Sequence, residues 1–154
     1  MRSILLWRIS LVILFCGWLS GCNSEPALHP ISGHITLGGK PYERLIVYFR
    51  PIDDAVTKFN LGVGETDAKG DLSLRSTAGP GLAAGKYKVS FTCIVNRGGK
   101  VVGSTDEKQD DDRSLVTEEL VPPAYAEGGH SELEFEVQSS AENRFEFDIP
   151  AKTP

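Results

Sequence analysis

Lys86-Tyr87-Lys88-Val89-Ser90-Phe91-Thr92-Cys93 decides the fold. In an extended chain Tyr87, Val89, Phe91 and Cys93 share one face, and Lys86, Lys88, Ser90 and Thr92 share the other. A period of two with an apolar and a polar side predicts a strand over a core. Cys93 lies on the apolar side and reads as a small buried hydrophobe, because a reactive thiol needs exposure and positive neighbours.

The same period recurs on both sides of this strand. Upstream, Ile31, Ile35 and Leu37 share a face in Ile31-Ser32-Gly33-His34-Ile35-Thr36-Leu37. Gly38-Gly39-Lys40-Pro41 is a turn signal. Leu45-Ile46-Val47-Tyr48-Phe49-Arg50 is nearly all apolar, as for a strand covered on both faces, and Pro51 ends it. Leu61 to Glu65 and Asp71 to Arg75 flank Thr66-Asp67-Ala68-Lys69-Gly70 and read as a hairpin in which Asp67 can bond nearby amides. Gly79-Pro80-Gly81-Leu82-Ala83-Ala84-Gly85 is a loop. Downstream, Glu132 to Val137 puts three acids outward, Arg144 to Ile149 puts Arg144, Glu146 and Asp148 outward, and each turns three apolar residues inward.

Seven short alternating segments predict an all-β fold, an antiparallel two-sheet β-sandwich of about seven strands, transthyretin-like or Ig-like. The domain spans 31–150, with 151–154 as a tail. Residues 96–131 form one long connection without a clear strand, in which Ser114 to Leu120 suit one or two helical turns.

The chain has 154 residues, 40% of them hydrophobic, which suits one domain with a packed core. Sixteen Lys and Arg stand against 21 Asp and Glu, a net charge of −5. Nucleic-acid binding needs clustered Lys and Arg, and no basic-aromatic stripe occurs.

Residues 1–21 read as an address. Arg2 and Arg8 precede an apolar run from Ile9 to Leu19, shorter than the about 20 residues of a membrane span. This is the pattern of a secretory signal peptide. Leu19-Ser20-Gly21-Cys22 follows directly and resembles the lipobox of bacterial lipoproteins. The resemblance implies cleavage before Cys22 and a diacylglycerol on its sulfur. More than one acyl chain holds a protein stably on a membrane. A secreted protein with a chance cysteine is the competing reading. Cleavage takes away two basic residues and no acid, so the mature charge is −7. It also takes Cys16 and both tryptophans, Trp7 and Trp18. Cys93 is then the sole unlipidated cysteine, and no internal disulfide is expected. Residues 22–30, with Pro26 and Pro30, form a lipidated tether.

The order of motifs is familiar. His29-Pro30-Ile31-Ser32-Gly33, Leu37-Gly38-Gly39-Lys40-Pro41, Val47-Tyr48-Phe49 and Thr66-Asp67-Ala68-Lys69-Gly70 are followed by Gly85-Lys86-Tyr87-Lys88-Val89 and Val121-Pro122-Pro123-Ala124-Tyr125. Ser131-Glu132-Leu133 and Asn143-Arg144-Phe145-Glu146-Phe147-Asp148-Ile149 complete the series. Over residues 28–150 this resembles the short lipoproteins of planctomycete-type bacteria, whose domain is similar to the carboxypeptidase regulatory-like, or transthyretin-like, β-sandwich. The resemblance implies no catalytic residue at these positions. Arg44-Leu45 departs from it, standing where relatives often have a small residue before the strand.

Little else points to chemistry. His29, His34 and His130 lack zinc-ligand spacing, and no G-x-S-x-G elbow occurs. A purine-ring hydrolase family shares the transthyretin-like fold, but its C-terminal Tyr-Arg-Gly-Ser signature is missing. Tyr42, Tyr48 and Tyr125 remain as possible sugar-stacking rings, with Tyr48 expected to pack instead. The acidic stretch 104–119 holds Asp106, Glu107, Asp110, Asp111, Asp112, Glu118 and Glu119. Clustered carboxylates suit calcium. The EF-hand pattern nonetheless fails, since the sixth residue from Asp110 is Leu115 and the twelfth is Val121. A solvated charged loop is the simpler reading, with Asp106, Asp110, Asp111 and Asp112 as the possible cation ligands.

The expectation is an exported, membrane-anchored lipoprotein of the bacterial cell envelope, on the periplasmic or outer-membrane face. It is expected to be non-enzymatic, a structural or protein-interaction module with an envelope protein or glycan as partner. No cofactor beyond the covalent lipid on Cys22 is expected. A carbohydrate- or calcium-binding lipoprotein using residues 96–131 is the alternative.

Overall fold

The computed structural model describes residues 25–102, 117–126 and 131–152. These residues are all-β, without a helix among them. In chain order the strands are β1 (Ile31–Leu37), β2 (Ile46–Pro51), β3 (Gly62–Thr66), β4 (Leu72–Ser76), β5 (Gly79–Pro80), β6 (Gly85–Thr92), β7 (Ile94–Val95), β8 (Glu118–Glu119), β9 (Glu134–Val137) and β10 (Asn143–Ile149). The seven expected segments are all strands.

Six strands form one antiparallel sheet in the order β5-β4-β3-β2-β6-β9. The turns are those the sequence announces. Asp67 accepts the Lys69 and Asp71 amides on one carboxylate oxygen at 2.8 and 2.9 Å, closing the β3–β4 hairpin. Those amides hold its carboxyl below the ordinary carboxylate range. Leu37 and Lys40 exchange backbone bonds around Gly38 and Gly39, whose φ values of 59° and 74° are those of a type I′ turn.

Two expectations need correction. The first is strand direction. β1 and β10 pair with each other in parallel, Ile31 opposite Asn143 and Leu37 opposite Ile149. They lie at opposite ends of the domain sequence, so no tight turn forces them antiparallel. Thr36 locks the register by donating its hydroxyl to Asp148 at 2.7 Å.

The second is the long connection. Residues 96–131 do not run free throughout. Val95 and Val101 close a tight loop in which Asn96 accepts the Gly98 and Lys100 amides. Residues 118–119 are strand β8, paired with β7, not the helical turn expected within Ser114 to Leu120. The Leu120 amide then donates to the Cys93 carbonyl, and the Phe91 amide to the Tyr125 carbonyl. Farther along, Val89 bonds Leu133 before β9 takes over at Lys88. The second edge of β6 is thus covered by three successive pieces of chain, each too short to show a period.

The core lies between the six-stranded sheet and the β1–β10 pair. Phe49 of β2 meets Phe145 of β10 edge-on at 5.4 Å, and Phe91 stacks on Phe147 at 5.7 Å. Tyr87, Val89, Phe91 and Cys93 are buried as their alternation predicts. On β3 the inward residues are Gly62 and Gly64, and Val63 faces solvent. A Cβ on Gly64 would sit 2.7 Å from the Ser73 carbonyl oxygen and 2.8 Å from a Leu72 methyl. Glycine there lets Leu72 fill the layer. Ser90, on the polar face, is only 9% exposed and stands across the ladder from half-buried Tyr48.

Arg44 has φ of +69°. That left-handed conformation suits glycine better than a residue with a side chain. Buried Thr66 holds the bend, bonding the Leu45 amide and the Tyr42 carbonyl through one hydroxyl.

Candidate functional site

The strands give the domain two distinct ends. β1 and β10 both start at one end, where β2 finishes and β6 begins. The loop 52–61, β5 with the residues 81–84 after it and the turn 138–142 lie there. Asn143 closes the last by accepting the Gln138 amide at 2.7 Å and returning a bond to the Gln138 carbonyl at 3.0 Å.

The incoming chain is clamped at this end. His29 and Leu82 exchange backbone bonds of 2.7 and 3.1 Å. Their approach requires glycine at 81, where φ is +89° and a Cβ would lie 2.3 Å from the His29 carbonyl oxygen. Glu25 reaches Lys58 of the 52–61 loop at 2.8 Å. A recess of about 340 Å³ lined by His29, Pro30, Ser32, Ala141, Glu142 and Asn143 opens beside the clamp.

The opposite end carries β7, β8 and the 95–101 loop. Here the acidic segment departs after Val102 and returns at Thr117. Both flanks are pinned. The Val102 amide donates to the Ile94 carbonyl at 2.8 Å. Glu119 turns its carboxylate inward and accepts the amides of Cys93 and Val121, each at 2.9 Å. Lys152 donates to the Glu119 carbonyl. Glu119, assigned by sequence to a solvated acidic run, is instead a structural acceptor. Only its backbone partners, 26 residues away in chain for Cys93, reveal this.

The other singled-out residues fall as follows. Cys22 with Leu19, Ser20 and Gly21, the acids Asp106, Asp110, Asp111 and Asp112, and His130 lie outside the described residues. His34 is exposed and meets Asp71 at 3.1 Å. Cys93 is fully buried. Burial pushes its thiol up to about 12, and the Glu119 carboxylate adds to the effect. Such a thiol is no nucleophile at neutral pH. Among the described residues, no three His, Cys, Asp or Glu side chains gather to hold a metal ion.

Of the tyrosines, Tyr42 and Tyr125 pack against the core. Tyr125 also lies 5.6 Å from the Phe147 ring. With Ala124, Glu132 and Leu133 these two rings line an open groove of about 530 Å³. The sequence offered Tyr125 as a ring but gave no sign of its companions. Comparison with known protein families, characterised proteins and solved structures finds no match.

Proposed function

We propose that this chain is a lipoprotein of the bacterial cell envelope, held to the membrane through lipid on Cys22. Its β domain, a two-sheet sandwich of the carboxypeptidase regulatory-like or transthyretin-like kind, serves as a non-enzymatic interaction module. The observation that carries the reading is Leu19-Ser20-Gly21-Cys22 directly after a short apolar run; the clamp at His29 and Leu82 then fixes how near the domain lies. Rigid β structure begins seven residues after Cys22, a separation of at most about 25 Å. A lipid on that cysteine would therefore hold the domain at the membrane surface. End loops and sheet edges are the surfaces such a module offers to partners.

The test is Cys22→Ala. The wild-type chain is expected to incorporate labelled palmitate and to fractionate with membranes. The variant is expected to lose the label and accumulate as precursor. Palmitate retained by the variant sinks the reading. Co-purification of the mature domain with envelope extract then identifies the partner.

The groove of Tyr125 and Phe147 favours one alternative, a glycan ligand. Two aromatic side chains and the Glu132 side chain line it, offering apolar contact and a hydrogen-bond acceptor. Saturable oligosaccharide binding lost in Tyr125→Ala would establish it.

A further inference from the structure

We propose that the bilayer holds this domain end-on, with the 52–61 loop toward the lipid headgroups and the β7–β8 end turned outward. This rests on the lipid anchor proposed above.

Three observations carry it. The tether does not approach the domain midway along a strand. It joins at the clamped end, where His29 pairs with Leu82. Glu25, three residues after Cys22 and so within about 11 Å of it, bonds Lys58, which keeps the 52–61 loop on the anchor side of the domain while the contact holds. The loop itself suits a headgroup surface. Val56 is 61% exposed at its tip, and the Lys58 ammonium sits 4.7 Å above the Phe59 ring. Exposed Val56 and half-buried Phe59 offer apolar area to an interface. Lys58 is shared with Glu25, and Asp53 and Asp54 beside it are exposed, so a zwitterionic surface suits the loop better than an anionic one.

The far end is set by strand length. From Tyr87 to Val95 the chain rises about 26 Å. Val102 projects there with 40% exposure, bonded through its backbone to Ile94. Val102 and Thr117, which flank the acidic segment, thus lie at the end remote from the membrane.

The mature chain has no tryptophan, since Trp7 and Trp18 both precede Cys22. Single reporters are therefore available. Val56→Trp and Val102→Trp replace exposed side chains at the two ends. Each full chain is purified with its anchor and reconstituted into phosphatidylcholine vesicles containing dansyl-headgroup lipid. Energy transfer from tryptophan to dansyl is expected to be severalfold greater for Val56→Trp. Equal transfer from the two positions, including none from either, overturns the end-on arrangement, as does greater transfer from Val102→Trp. Mass spectrometry of the same samples reads the acyl chains on Cys22. Their absence would refute the anchor and this proposal together; their presence with equal transfer refutes the orientation alone.

Discussion

The Glu119 carboxylate accepts the Cys93 amide at 2.9 Å, joining the end of the core strand to the chain returning from the acidic segment. The same oxygen takes the Val121 amide. One side chain thus satisfies two backbone donors that no ladder reaches. Val121 beyond it is buried, so the segment is seated by both a polar and an apolar contact.

Glu119→Ala should therefore destabilise the domain by about 1–3 kcal/mol, the cost of leaving partly buried donors unpaired. Glu119→Gln keeps an acceptor oxygen and should cost less. Glu118→Ala, one residue away and exposed, should be near neutral. Urea unfolding midpoints of the three variants check the order.

Gly64→Ala should cost about 1–3 kcal/mol through overpacking. The new methyl group would press on the Ser73 carbonyl and on Leu72. Val63→Ala, on the solvent side of the same strand, should change little. A harmless Gly64→Ala in thermal melts would mean that β3 presents its other face to the core.

Phe91→Ala should cost about 3–5 kcal/mol, as for other buried aromatics. The ring stacks on both Phe145 and Phe147. Alternation alone makes Ser90→Ala negligible. Its burial raises the expected cost to about 1 kcal/mol, still well below that of Phe91. Urea melts of both variants test the strand's facing and the shielding of its polar side.

Alkali should unfold the domain through two buried groups. Burial pushes Cys93 from 9.0 and Tyr87 from 10.0 up to about 12 each. Tyr87 also donates its hydroxyl proton to the Ala83 carbonyl at 2.6 Å. Both folded values are raised, so the unfolded chain loses these protons first. The stability they contribute is whole below about pH 9 and is lost as pH rises toward about 12. Each group adds a slope of about 1.4 kcal/mol per pH unit within its window. Cys93→Ala should flatten the decline that starts near pH 9. Unfolding midpoints from pH 7 to 11 give the measurement.

Calcium distinguishes an interaction module from a cation binder. Millimolar calcium should leave the unfolding midpoint nearly unchanged. A site saturated a hundredfold above its Kd would instead add about 2.7 kcal/mol. A rise that vanishes when Asp110, Asp111 and Asp112 become Asn would promote the calcium-binding alternative. Deleting residues 104–112 should leave the domain folded, because loop closure depends weakly on length.

Strand identity was written locally. The alternation of Lys86 to Cys93, the Gly38-Gly39 turn and the Asp67 turn each depend on residues within a few positions, and each is formed as its sequence predicts. The basic and apolar pattern before Cys22 is equally local, and it lies outside the described residues. What only the tertiary structure decided involves partners far apart in chain. The parallel pairing of β1 with β10 joins Ile31 to Asn143, and no turn or period announces it. Gly62 and Gly64 form the core face of β3, yet glycine carries no hydrophobic signal; its role appears only when Leu72 and Leu82 occupy the space. Glu119 looks like any solvated acid until the Cys93 amide stands before it. Local backbone preference is encoded residue by residue, whereas pairing direction, packing against glycine and the partner of a buried carboxylate arise only when distant segments compete for the same space and the same hydrogen bonds.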